Sequence, residues 1–326
     1  MSRGRGERTQ VPEAQFRSYY GRQIIKSPVW KSPDVPLYLF LGGLAGTSSG
    51  LAALGGATGR PTLRRAGRLA AAGGAAAGTV FLVHDLHRPA RFLHMLRVFK
   101  PTSPLSVGTW ILSPFAVFAS AAAASEVTGL LRRTGDASGA VAAVIGPALG
   151  TYTAVLLSNT AVPTWHEAHR HLPVLFAGSA AVAGGGVGLL GASVADNAPP
   201  ARLAVAGAVL ELVSGEVMER HLGLLADVYE KGRARTLMRA SKACLAVGAV
   251  GTVLGRRRRW SAALSGLTLM AGSALTRFGV FEAGIASSKD PAHIVVPQRE
   301  RIRQREQTTA AGTTPPDRSF APPARS

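Results

Sequence analysis

Five stretches of this chain carry no charged side chain: Val35 to Gly59, Leu69 to Val83, Pro101 to Ser125, Ala137 up to Glu167, and Leu172 to Ala195. Several exceed the roughly 20 residues that a helix needs to cross a bilayer. No alternation of period two runs through them, and in lipid a helix satisfies every backbone N–H and C=O within its own segment. The expected class is therefore an all-α, polytopic membrane protein. Eight candidate spans follow, at about 36–57, 67–85, 107–131, 139–159, 172–195, 202–222, 242–255 and 260–283. The sixth carries charges and the seventh is short. The polar stretch from Trp165 to His171 divides the spans into two four-helix halves. Residues 34–285 make up the transmembrane domain and 1–33 a polar, basic N-terminal segment. Residues 286–326 form a polar, Pro-containing tail whose composition is that of a disordered segment.

Glycine contributes 38 residues, and small residues let helices approach closely where no hydrophobic effect draws them together. The net charge of +19 would point to nucleic acid in a soluble protein. In a membrane protein the same excess orients helices and meets anionic lipid, so membrane lipid is the expected partner and nucleic acid is not. The single cysteine, Cys244, excludes a disulfide framework and a cysteine-held iron–sulfur cluster in this chain. Eight spans place both termini on one side. The Lys and Arg tally favours that side by 26 to 11, but within the loops it is even, so the bias rests on the two ends. It predicts cytoplasmic termini in a plasma-membrane protein.

Between the second and third spans lies the stretch His84 to Trp110, HDLHRPARFLHMLRVFKPTSPLSVGTW. Pro89 suits a first helical position, Arg88, Arg91, His94 and Arg97 recur every third residue, and Phe92, Leu93, Leu96 and Phe99 fill another stripe. A short basic amphipathic helix is expected there, stopped at Lys100 by Pro101. Lying flat at the surface, it would turn Arg88, Arg91, Arg97 and Lys100 to headgroups or to a partner; the plainer alternative is a basic loop helix.

Ionisable and polar groups within spans are costly and are functional candidates. Tyr152 lies in the fourth span, ahead of Ser158, Asn159 and Thr160; Tyr38 opens the first, just after Asp34. The start of the first span and the end of the fourth fall at one membrane face. A phenol and a carboxylate entering an apolar cavity can hydrogen-bond the two carbonyls of a quinone and deliver protons; otherwise each Tyr is an interfacial anchor. Glu126, Glu211, Glu216 and Glu219 are intramembrane carboxylates that could form a proton relay or pair with Arg220 or Arg277 to fix helix contacts. The cluster WHEAHRH holds His166, His169 and His171 at metal-compatible spacing. It falls in one connecting loop, so solvated histidines are expected and no metal site.

Three stretches carry a resemblance to a known family: SYYGRQIIKSPVW before YLFLGGLAG, then HRPARFLHMLRVFKPTSPLSVGTW, and TYTAVLLSNTAVPTWHEA. With the eight spans in register, Tyr19 to Ala283 resembles the NrfD/PsrC family, the polysulfide-reductase membrane subunits. The resemblance implies a quinone-reactive anchor subunit that exchanges electrons between a four-cluster iron–sulfur protein and menaquinone. It also implies a molybdopterin catalytic subunit in the complex, with iron–sulfur clusters and molybdopterin confined to the partner chains. It places the quinone pocket beside the iron–sulfur subunit, with Tyr152 matching the family's fourth-span Tyr. Alignment on GGLAG sets Tyr38 where polysulfide reductase has a His and Val35 where it has an Asn, leaving Asp34 as a substitute. The resemblance implies no haem or metal in this subunit. Other classes compatible with eight spans that include intramembrane Glu and Arg are a proton-coupled secondary transporter and a purely structural anchor.

Overall fold

The computed structural model describes residues 24–310 apart from 87 and 90, and all regular structure among them is helical. In chain order the helices are α1 (Asp34–Ala57), α2 (Pro61–Asp85), α3 (Arg91–Met95), α4 (Pro104–Thr128), α5 (Arg132–Ser158), α6 (Pro163–Glu167) and α7 (Leu172–Gly191). They continue with α8 (Ala198–Leu222), α9 (Asp227–Glu230), α10 (Gly232–Gly255), α11 (Arg259–Lys289) and α12 (Ala292–Ala310). Pro61, Pro104 and Pro163 each open a helix, where a missing N–H removes no intrahelical bond. Gly129 closes α4 with φ of 73°, a left-handed conformation that glycine adopts without strain.

Among the described residues, seven helices are long and apolar enough to cross a membrane: α1, α2, α4, α5, α7, α10 and α11. The expected count of eight is thus seven by length and composition. The remaining long helix, α8, has the length, but Arg202, Glu211, Glu216, Glu219 and Arg220 dilute its apolar run. The span expected at 242–255 begins ten residues earlier, at Gly232, because basic first turns conceal its start. The helix expected from Pro89 to Lys100 contracts to Arg91–Met95. The hydroxyl of Ser106 accepts from the Lys100 N–H at 3.0 Å and donates to the Val98 carbonyl at 3.1 Å, holding that stretch out of the helix. Where the tail composition predicts disorder, α12 forms over 292–310, started by the Asp290 carboxylate accepting from the Ala292 N–H at 2.9 Å.

The long helices fall into two rings of four. In the first, α1 packs on α2, α2 on α4, α4 on α5 and α5 on α1; α7, α8, α10 and α11 repeat the arrangement. The rings meet where α1 packs on α7, flanked by α5 and α11. Glycine permits these approaches: a Cβ on Gly46 or on Gly146 would strike the other's backbone, so α1 and α5 touch main chain to main chain. Trp165 of α6, fully buried, ties the long connection to the second ring. Its indole N–H donates to the Val280 carbonyl at 2.8 Å, and its ring stacks on Trp30 and lies against Phe281.

The two ends of the bundle differ. At one, the turns are short (58–60, 129–131, 192–197, 256–258), and arginines are clamped there: Arg64 and Arg68 each reach Glu126 at 3.0 Å. At the other, long connections carry α3, α6 and α9, and α12 follows the end of α11. That second end holds the start of α1 and the end of α11 alike.

Candidate functional site

At the end with the long connections, a cavity of about 680 Å³ opens between the start of α4, the end of α5 and the 159–169 connection. Pro101, Pro104, Val107 and Val155 give it apolar walls, while Tyr152, Ser158, Asn159, His166 and His169 supply polar groups. Its size falls in the range of small-molecule pockets, and a mostly apolar wall with a few convergent polar groups is their usual chemistry.

Each polar group is positioned by its helix. Tyr152 projects from α5 well before its end and is 8% exposed. Its ring lies against Gly108 of α4, where a Cβ would collide with it, so the glycine makes room for the phenol. No described residue hydrogen-bonds the Tyr152 hydroxyl. His166 follows the opening turn at Pro163, and its Nδ1 sits 3.2 Å from the Ser158 carbonyl. His169 Nδ1 is 3.0 Å from the His166 carbonyl. A carbonyl only accepts, so both imidazoles carry their proton on Nδ1 when neutral, which leaves Nε2 as an acceptor. His171 lies beside His221, the ring centroids 4.7 Å apart and the planes tilted by 56°. Partial burial, then the neighbouring His221, His169 and Arg170, lower its pKa, so it stays neutral at pH 7.

The other residues predicted from sequence lie elsewhere. Asp34 is buried at the first turn of α1, where its Oδ2 meets His84 Nδ1 at 2.7 Å and ties α1 to the end of α2. Lys31 N–H donates to Asp85 at 2.8 Å and reinforces that tie. Tyr38 is 2% exposed in the core of the first ring, packed towards Gly78 of α2, with its hydroxyl unbonded among the described residues. Neither lines the cavity. Arg88, Arg97 and Lys100 are exposed on the 86–103 connection; the side chain of Arg91 lies outside the described residues.

The four glutamates do not form one row. Glu126 is at the opposite end, held by Arg64 and Arg68. Glu216 and Glu219 are paired at the edge of α8, with Arg220 at 3.1 Å and Lys242 at 3.0 Å respectively. Glu211 is in the core, 2% exposed, with both carboxylate oxygens unbonded among the described residues and with Arg277, Thr276 and Ser179 around it. Arg277 is fully buried, donating to the Phe176 carbonyl at 2.9 Å and lying 3.6 Å above the Phe176 ring.

Sequence reading expects solvated histidines here, and His166 and His169 are indeed exposed, although both also line the cavity. Their part in the cavity depends on a turn that folds the 159–171 connection back over the end of α5. A histidine three residues from another in a Pro-opened segment was the only available signal. Among the described residues no group of His, Cys, Asp or Glu is arranged to hold a metal.

A bundle of helices, seven of which among the described residues are long and apolar enough to cross a bilayer, defines a multi-pass membrane protein. The chain belongs to the NrfD family: the family described as "Polysulphide reductase, NrfD" matches residues 23–286. Members of that family are membrane subunits of oxidoreductase complexes. Comparison with curated proteins finds no match.

Proposed function

We propose that this chain is the quinone-reactive subunit of its complex. It would exchange electrons between an iron–sulfur partner and the menaquinone pool, with a molybdopterin subunit completing the assembly. The observation that carries the reading is the Tyr152 cavity: apolar on α4 and α5, polar at its end, and reached from the membrane face. Its residues fit a quinone ring. The Tyr152 phenol lines this cavity with no hydrogen-bond partner among the described residues, so it is free to donate to an acceptor there, and a quinone carbonyl is one. A bound quinone would supply two-electron, two-proton redox chemistry.

The chain's own residues would do the rest. Tyr152 O–H donates to one carbonyl and fixes the ring's orientation. His166 and His169, with Nδ1 anchored on backbone carbonyls, present Nε2 to take or give a proton. Pro101, Pro104, Val107 and Val155 exclude water from the ring's faces. Asp34 and Tyr38 serve in this reading from the first ring's core, Asp34 by ordering the start of α1 through His84. Arg88, Arg97 and Lys100, exposed on the connection beside the cavity, form the docking surface for the iron–sulfur partner. The proton relay reduces to Glu211 with Arg277, since the other glutamates are already paired.

The test is Tyr152→Phe, which removes one hydroxyl and almost no volume. Loss of a hydrogen bond worth about 0.5–1.5 kcal/mol should weaken quinone-linked turnover several-fold. Turnover of the purified complex with an artificial acceptor that bypasses the membrane subunit should stay at the wild-type level. Wild-type rates with both acceptors would remove Tyr152 from the site.

A further inference from the structure

In the other ring, at the same end of the bundle, a second pocket of about 400 Å³ lies between the end of α8, α9 and the start of α10. Its lining is charged. Arg235, Arg239 and Lys242 line it from α10, at spacings of four and three that set them along one face. Glu219, Tyr229 and Glu230 face them. Glu219 and Lys242 are engaged with each other at 3.0 Å. Arg235, Arg239 and Glu230 enter no ion pair among the described residues.

Tyr229 is 5% exposed, and its hydroxyl is buried with no hydrogen-bond partner among the described residues. Burial, and then the charge of Glu219, raise the pKa of that phenol, so it remains an O–H donor at neutral pH. Buried donors in folded proteins are normally met by an acceptor, and this one lines a pocket that two unpaired guanidinium groups also line.

The surroundings select the source of that acceptor. Along α8 and α10, further into the membrane than the pocket, Val213, Val217, Val247 and Val250 are about half or more exposed. Outward apolar side chains on these two helices face hydrocarbon. The charged pocket therefore sits where headgroups lie, above a surface suited to acyl chains. A free anion would use only the charges, whereas a phospholipid uses both.

We propose that this pocket holds the headgroup of a membrane phospholipid of the phosphoethanolamine type. Arg235, Arg239 and the Tyr229 hydroxyl bind its phosphate, Glu230 receives its ammonium, and its acyl chains follow the valine surface of α8 and α10. The assignment is independent of the Tyr152 cavity.

The full-length protein, purified in mild detergent and washed to strip loose lipid, is examined by native mass spectrometry and phosphorus assay. Wild type and the far-end control Arg132→Ala/Arg133→Ala should retain phosphatidylethanolamine. Arg235→Ala/Arg239→Ala should lose it at least several-fold, and Tyr229→Phe should loosen it. Equal retention in the Arg235→Ala/Arg239→Ala protein overturns the site. Displacement of the lipid by inorganic phosphate alone overturns the lipid reading in favour of a simple anion site. Glu230→Gln changes only an exposed side chain and covers the case in which the double variant does not fold. It should shift retention from phosphatidylethanolamine towards phosphatidylglycerol, and an unchanged preference overturns the ethanolamine assignment.

Discussion

The Tyr152 cavity depends on a residue with no side chain. Gly108 lies against the phenol, so any Cβ there must push the ring off its place. Replacement of Gly108 by Ala should cost about 1–3 kcal/mol from overpacking. It should lower quinone-linked turnover at least as far as Tyr152→Phe does, because displacement by about 1 Å can cost roughly 10²-fold in a positioned site. Gly50 of α1, around which a Cβ meets nothing within 4 Å, is the matched control. Turnover and thermal unfolding of Gly108→Ala and Gly50→Ala, measured side by side, decide the point: equal behaviour would mean that the ring is free to move. Gly108 carried no mark in the sequence beyond being one glycine of many. Its role comes from Tyr152, more than 40 positions away, lying on the facing helix.

At the scale of elements, the contact of α1 with α5 rests on Gly46 and Gly146, which meet through their backbones. With lipid as solvent, close packing rather than water exclusion holds such helices together. Gly46→Ala should therefore force α1 and α5 apart and lower the unfolding temperature in detergent, by about 1–3 kcal/mol of overpacking cost. Gly50→Ala, one turn further along the same helix, should leave it unchanged. Similar melting of the two variants would show that the α1–α5 seam contributes little. Helix existence was legible from the uncharged runs, because length and apolarity are local properties. The length of α3 was not: a side-chain hydroxyl from α4, Ser106, captures the backbone groups that a longer helix would have used.

For the whole molecule, alternation of the long helices places Thr62 beside Asp196 at the short-turn end and His171 beside His221 at the other. These contacts carry α8 from one end of the bundle to the other, a length of roughly 37 Å for its 25 residues. Reporter fusions at Ser193 and Leu224 should accordingly give opposite signals, and matching signals would leave only seven crossings. Fusions at Thr134 and Ser326 should also differ, with Ser326 on the cytoplasmic side as the excess of Lys and Arg at the chain ends requires. A periplasmic signal at Ser326 would turn the cavity and its partner surface outward.

From the sequence alone came the all-helical membrane class, the two groups of four long helices, the NrfD resemblance and Tyr152 as a candidate. Each depends on local composition, or on short motifs that survive without knowledge of neighbours. Tertiary structure alone decided which polar residues share a cavity. It joined Tyr152 to His166 and His169, set Asp34 and Tyr38 apart in the first ring, and scattered the glutamates among an arginine clamp, a salt-bridged edge of α8 and a buried core. Those outcomes turn on how a connection folds back and on which helix faces meet, and both are contacts between residues far apart in the chain.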